Sequence, residues 1–290
     1  MYNNANELKA LCEESGKKIC HVAIEVESKL NETSADEIRK KFKENIEIMR
    51  QACKKTLKTE IPSISGLTSG MAKKLFSYME NGNSVFSKDI LKSVAYALSC
   101  FEVNTSMGKI VAAPTAGSCG ILPACLFMVA EKINASDDDL INAFATAAAI
   151  GTIIEKNATL SGAEGGCQAE CGSASAMAAA AMTEMLGGNI DQCLHAASMT
   201  ITNVMGQICD PIAGLVEIPC AKRNASGVVN AILCTDLALA GIECFVPFDE
   251  VISAMYEVGK SLPMELRETG IGGLAGTPTG IATRKKIFGE

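Results

Sequence analysis

Between Cys167 and Ala181, twelve of fifteen residues are Ala, Gly, Ser or Cys. Ala is the strongest helix former, so the run reads as a helix. Small side chains on every side let neighbouring backbones approach closely, and a helix without a polar face belongs inside. It is therefore expected to be central, with other helices around it, and to end at Gly187-Gly188. The chain of 290 residues is 48% hydrophobic and 20% charged. That is a globular composition, long enough for a sizeable core in one or two domains.

The flanking sequence supplies the surrounding helices. Ser34-Ala35-Asp36-Glu37 is a capping-box pattern. Behind it Ile38, Phe42, Ile46, Met49, Cys53 and Leu57 mark one face of a helix that ends near Thr59. Its other face is a solvated mixture of Lys and Glu. Nearer the N-terminus lies a charged amphipathic segment, a first helix that carries His21. Segment 62–70 is a loop, followed by a helix from about Met71 to near Gly82 and another after Ser87, with Ile90, Val94, Leu98 and Phe101 inward. The acidic run Ser136-Asp137-Asp138-Asp139 opens a helix through about Glu155. Further helices fit 167–186, 190–206, 220–240 and 248–260. Few segments alternate at period two, no βαβ rhythm appears and no fixed repeat stands out. The expectation is an all-α fold in one domain over 1–290, with peripheral helices over 1–60 and a catalytic core over 61–290. Gly-rich loops converge on its site.

Charge and cysteine usage bound the function. A net charge of −7, with no Trp and 4% aromatics, argues against nucleic acid or an acidic membrane as partner. No apolar leader follows the N-terminus. Residues 110–130 form a charge-free run long enough to span a bilayer, but Pro114, Gly117, Gly120 and Pro123 make it a buried loop and helix start. Thirteen cysteines cannot all pair within one chain. In a cytoplasmic protein thiols stay reduced, so they read as buried small residues or metal ligands.

Four loops are rich in Gly and poor in bulk: 113–120, 161–167, 209–220 and 270–280. Three lead into a helix, where free N–H groups favour an anion. Four such loops in one helical chain point to a shared site. None carries a nucleotide fingerprint; the Gly-Ile-Gly-Gly-Leu-Ala-Gly stretch near the C-terminus has no βαβ unit around it. Cys209 and Cys220 bracket a loop stiffened by Pro211 and Pro219, and Cys167 opens a helix behind a Gly loop. A thiolate at a helix N-terminus has a lowered pKa, which suits a metal ligand. The spacing is neither that of zinc fingers nor that of ferredoxins. Cys171 lies one turn beyond Cys167 on the same face, and the residues alone leave the choice between them open. Cys12, Cys20, Cys53, Cys100, Cys193, Cys234 and Cys244 read as buried small hydrophobes. His21 and His195 border no Gly loop and read as structural. The base for C–H chemistry is then a Lys, a carboxylate or a residue of another chain.

At the four loops the chain resembles the iron–sulfur L-serine dehydratase family, and more closely the separate α subunit of its two-chain form. The resemblance rests on Ala113-Pro-Thr-Ala-Gly-Ser-Cys-Gly-Ile-Leu-Pro123, Ser161-Gly-Ala-Glu-Gly-Gly-Cys-Gln-Ala-Glu170, Cys209-Asp-Pro-Ile-Ala-Gly-Leu-Val-Glu-Ile-Pro-Cys220 with Arg223-Asn224-Ala225, and Glu268-Thr-Gly-Ile-Gly-Gly-Leu-Ala275. It implies an all-helical domain with a [4Fe–4S] cluster on Cys167, Cys209 and Cys220, and no pyridoxal phosphate. Three thiolates leave one iron open as a Lewis acid for the substrate hydroxyl. The implied reaction converts L-serine to pyruvate and ammonia. The Gly loops, among them Gly117, would hold the carboxylate together with the hydroxyls of Thr115 and Ser118, with Lys109 or Arg223 adding charge. Asn157, Ser161 and Glu164 would orient the ammonium or the cluster sulfurs.

Two departures bear on the assembly. Single-chain relatives end in a Cys that reaches the open iron, whereas this chain ends Lys286-Ile287-Phe288-Gly289-Glu290. The Ser-His-Thr motif of the family's β domain, taken to supply the base, is absent from this sequence. The resemblance therefore implies a hetero-oligomer in which a β subunit completes the site and the chain alone is inactive or nearly so. Rival readings are a cluster lyase on L-cysteine or L-threonine, a non-catalytic iron–sulfur sensor with Cys171 as fourth thiolate, and a pyridoxal phosphate lyase. The last leaves the Cys-bounded loops unexplained.

Overall fold

The small-residue run lies at the centre of the computed structural model, which describes residues 1–289. After Cys167 the chain makes a π-helical turn, Gln168–Gly172, and continues as a helix over Ser173–Met185. Ala174, Ala176 and Ala178 to Ala181 have no exposed surface. In chain order the helices are α1 Ala5–Ser15, α2 Ile19–Leu30, α3 Ala35–Lys55, α4 Met71–Glu80, α5 Lys88–Thr105, α6 Ile121–Ile133, α7 Asp137–Asn157, α8 Gly162–Gly165, α9 Ser173–Met185, α10 Ile190–Thr202, α11 Cys220–Leu239, α12 Phe248–Ser261 and α13 Pro278–Phe288. α6, α7, α10 and α11 all pack directly on α9. The fold is all-α: the described residues form no strand, and one isolated parallel bridge joins Cys209 to Arg267.

Helix starts follow the polar signals, and ends follow tertiary bonds. Ser136 and Asp139 close a reciprocal capping box at α7, and Asn189 with Gln192 does the same at α10. At α3 only half of the expected box forms: Ser34 accepts from the Glu37 N–H, but the Glu37 carboxylate turns to the Thr33 hydroxyl. The N-terminal amphipathic segment is two helices. α1 stops at Gly16, whose N–H turns back on Cys12 and Glu13, so His21 lies in α2. α3 ends at Lys55 rather than near Thr59, because the Thr56 N–H goes to Ser99 Oγ (3.0 Å) instead of continuing the ladder. α10 ends at Thr202, before the expected Gly206, whose N–H is taken by Gln168 Oε1 at 2.7 Å. The 270–280 loop gives way to α13 from Pro278, capped by the Thr277 hydroxyl.

One continuous hydrophobic core runs from Tyr2 to Met255. α2 and α3 pack on α7 and α5 and share that core, contributing Ile19, Ile46, Met49 and Cys53. The apolar stretch Ala116–Ile133 is 67% buried within the fold, so its hydropathy serves packing against α5 and α9. All thirteen cysteines are free thiols, and Cys244 alone is half-exposed.

Candidate metal centre and active site

Three of the Gly loops meet at the start of the central helix, and the fourth segment closes on them. Gln168 organises this junction. Its amide nitrogen donates to Gly165 O and Met255 O (both 2.9 Å), and its oxygen accepts from Gly206 N. The π turn thereby hangs from α8, α12 and the turn after α10. π turns recur at functional sites because they displace side chains from the regular helical register.

Cys167, Cys209 and Cys220 are buried, and each would feel the charge of the others. Burial, then the neighbouring Cys167 thiolate and Glu170, push the Cys209 and Cys220 thiols well above the ordinary range. Cys167 is lowered instead. Its sulfur lies 3.5 Å from Cys171 Sγ, and the hydrogen bond between the two sulfurs lowers it first, with the positive charge of Arg223 adding to the effect. Cys171 moves the opposite way, raised by that same hydrogen bond and by burial. Of these two neighbours, Cys167 is the one whose pKa is lowered and Cys171 the one whose pKa is raised.

The loops are stitched around these sulfurs. Cys209 N–H donates to Leu266 O (2.8 Å), and Glu268 N–H donates to Cys209 O (2.7 Å). Asp210 is buried: Oδ1 takes Arg223 Nη2 at 2.7 Å and Oδ2 takes the Leu274 N–H at 2.7 Å. Asn224, fully buried, donates to Gly117 O (2.7 Å) and Cys220 O (3.0 Å) and accepts from Gly120 N (3.0 Å). The Thr115 hydroxyl donates to Glu170 Oε1 at 2.8 Å, and Ser118 Oγ lies 3.1 Å from Thr115 Oγ1. Glu170 Oε2 is 3.8 Å from Cys209 Sγ. Glu170, Cys209 and Glu268 bring ligand atoms within 4.8 Å of one another. Two carboxylates at that separation repel by about 3.5 kcal/mol at an effective dielectric of about 20. Burial raises both carboxyl groups, and for Glu170 the Glu268 charge adds to it.

These residues fit a thiolate-held metal group. The donors are three soft sulfurs from three separate loops, a set that selects iron–sulfur or similar chemistry over hard cations. Arg223 Nη1 is buried beside them without a hydrogen-bond partner. Gly162 makes room: a Cβ there would lie 3.2 Å from Cys209 Sγ and 2.5 Å from Glu170 Oε2.

The sequence-derived residues divide accordingly. Thr115, Gly117, Ser118 and Arg223 come together with the three cysteines. Ser161 caps α8 beside Gly162 through its backbone, its hydroxyl forming no capping bond. Glu164 is exposed, accepts from the Thr159 hydroxyl (2.5 Å) and lines an open hollow of about 450 Å³ with Tyr256, Lys260 and Arg267. Asn157 spends its amide on Asn3 O (2.7 Å) and Ile153 O (2.8 Å). Lys109 is exposed and has no polar partner among the described residues. His195 Nδ1 accepts from Cys244 N at 3.2 Å, away from the cysteine loops. Glu170, Asp210, Asn224 and Glu268 lie inside the four motifs, and the sequence alone assigns them no role. Their signal was a charged or amide side chain in an otherwise small or apolar stretch, which is costly unless it is bonded.

Residues 14–275 match the family model described as "Serine dehydratase alpha chain". The chain is 52% identical to "L-serine dehydratase, alpha chain" of Peptoniphilus asaccharolyticus, covering 100% of this chain and 99% of that one. It is 47% identical to "Probable L-serine dehydratase, alpha chain" of Bacillus subtilis (strain 168), over 100% and 96%. Against "L-serine dehydratase 1" of Escherichia coli (strain K12) the identity is 36%, over 94% of this chain and 61% of that protein. With a family match across most of its length and relatives this similar end to end, the chain belongs to the serine dehydratase alpha chain family.

Proposed function

We propose that the chain is the catalytic subunit of a [4Fe–4S] L-serine dehydratase, a pyridoxal-phosphate-independent lyase converting L-serine to pyruvate and ammonia. The convergence of Cys167, Cys209 and Cys220 beside an unpartnered buried Arg223 nitrogen carries this reading. When bound by these thiolates, the cluster supplies an iron open to the substrate hydroxyl, a Lewis acid that makes water a better leaving group. Arg223 Nη1 donates to the substrate carboxylate, while Asp210 fixes the guanidinium through Nη2. Asn224 keeps the 113–120 loop against α11, so that Thr115 and Ser118 face the same point as the sulfurs. A base removes the α-proton, the β-hydroxyl leaves as water, and the enamine tautomerises and hydrolyses. Neither His21 nor His195 lies at the cysteine loops, and the base is assigned to a β subunit because the family resemblance implies it. The names of the alpha-chain relatives support a two-chain enzyme, as does the E. coli relative of which this chain covers 61%. Thirteen free thiols suit the cytoplasm.

The test is anaerobic reconstitution of the chain, with iron and sulfide counted, followed by a visible spectrum titrated with L-serine. A thiolate-to-iron absorption near roughly 400 nm that changes with L-serine is expected, as is pyruvate formation once the β chain is added. Failure of Cys167→Ser, Cys209→Ser and Cys220→Ser to lower the iron content would overturn the ligand set. Faster turnover of L-cysteine or L-threonine would reassign the substrate.

A further inference from the structure

The site has a second charged pole besides Arg223, and the direction of its hydrogen bonds says what it receives. Thr115 gives its hydroxyl proton to Glu170 Oε1, so the Ser118 hydroxyl 3.1 Å away is left as the donor to Thr115. Both protons are consumed within the site, and neither hydroxyl has one left for a substrate carboxylate. Glu268 is held at φ +62, a conformation that a residue with a Cβ adopts rarely. Bonds from Cys209 N to Leu266 O and from Glu268 N to Cys209 O fix its backbone. Its carboxylate has no hydrogen bond or ion pair of its own, yet lies within 4.8 Å of ligand atoms of Glu170 and Cys209. The Arg223 guanidinium pairs with Asp210 and keeps Nη1 free and buried. A guanidinium with a free nitrogen and an unpartnered carboxyl group thus both lie close enough to Glu170 for it to feel their charges.

We infer that Glu268, backed by Glu170 and Thr115, receives the α-ammonium of the substrate, leaving the carboxylate to Arg223. The assignment rests on the proposed function and deepens it. The substrate lies between Arg223 and Glu268 with its β-carbon toward the cysteines, and the site selects amino acids over hydroxy acids. Thr115 and Ser118 act as acceptors and positioning groups, not as carboxylate donors.

The test uses the reconstituted two-chain enzyme and two dead-end analogues, each lacking one charge: ethanolamine without the carboxylate, and 3-hydroxypropionate without the ammonium. Their binding is measured by calorimetry alongside the KM for L-serine. Glu268→Gln is expected to raise the L-serine KM and weaken ethanolamine by about ten-fold or more, the scale of one charge-assisted hydrogen bond. It should leave 3-hydroxypropionate within about two-fold, and Arg223→Lys should give the reverse pattern. Equal weakening of both analogues, or an unchanged KM, overturns the assignment. If Glu268→Gln loses iron, Glu268→Asp decides by the same comparison: selective weakening of ethanolamine supports the assignment and equal weakening overturns it. A wild-type complex without iron or pyruvate formation refutes the proposed function itself, an outcome distinct from a working enzyme whose Glu268 variants discriminate nothing.

Discussion

Replacing Asn224 by Ala isolates the contact that joins the 113–120 loop to the helix starting at Cys220. The side chain is fully buried and makes three hydrogen bonds, to Gly117 O, Cys220 O and Gly120 N. Cys220 O keeps its place in the helical ladder after truncation. Gly117 O and Gly120 N–H are left buried and unpaired, at about 1–3 kcal/mol each. Partial relaxation of the loop brings the expected loss to about 3 kcal/mol. For a chain of 290 residues, an unfolding entropy near 2.1 cal/mol/K per residue gives about 0.6 kcal/mol per degree, hence a Tm lower by about 5 °C. The assay is urea and thermal unfolding of the metal-free chain under reducing conditions, with Asn157→Ala as control. Asn157 also makes two amide hydrogen bonds but is exposed, so water replaces its contacts and the loss stays below about 1 kcal/mol. If both variants lose the same stability, burial is not what makes the Asn224 bonds matter and the reasoning fails.

Three further outcomes follow from the same geometry. Gly259→Ala places a Cβ 2.7 Å from Gly165 Cα and 3.0 Å from Gly165 O, so α12 must shift from the turn before Cys167, at about 1–3 kcal/mol; an undiminished unfolding midpoint with unchanged iron content would contradict it. Glu184→Gln puts an amide where a buried carboxylate accepts from Ile19 N, Cys20 N and the Thr146 hydroxyl. It should cost about 1.5–3 kcal/mol and speed amide exchange in α2 before the rest of the chain. Glu102 is fully buried with Oε2 unpaired, and burial raises its pKa. A raised folded pKa means that the folded state holds the proton more tightly, so this contribution is complete below the unfolded value near about 4.3 and is lost as pH rises through the folded value. Glu102→Gln should flatten that decline in a pH series of urea midpoints, and an unaltered slope would show that another group is responsible.

The sequence made the helical framework legible because its signals are local. Ser136 and the acids after it, Gly187-Gly188 and the face from Ile38 to Cys53 each set a start, a stop or a buried stripe by themselves. What it missed was decided across the fold. Thr56 leaves its helix for Ser99, Gly206 is captured by Gln168, and the π turn after Cys167 depends on bonds to Gly165, Met255 and Gly206. The same division holds at the site. Cysteines bracketed by Gly and Pro stand out in a linear reading, and so do the hydroxyls of Thr115 and Ser118. The partners that give those groups their direction, Glu170, Asp210, Asn224 and Glu268, come from segments far apart in the chain. Asn157 and Lys109 lie close in sequence to the loops, and the fold does not convert that proximity into contact with the cysteines.

The central helix also determines which mutational survey would be informative. A large-to-small scan asks what is lost when a side chain is cut back, and from Ala174 to Ala181 there is little to cut besides Met177. Such a scan would record this segment as silent apart from Met177, although it touches more of the molecule than the faces that score heavily. Its constraint is a ceiling on volume: every added methylene must be taken from a neighbouring backbone. Sensitivity here is to growth, graded by side-chain size and steepest where α10 and α7 lie against it. A library stepping from Ala through Ser, Cys and Val to Leu would reveal the helix as the least forgiving part of the chain.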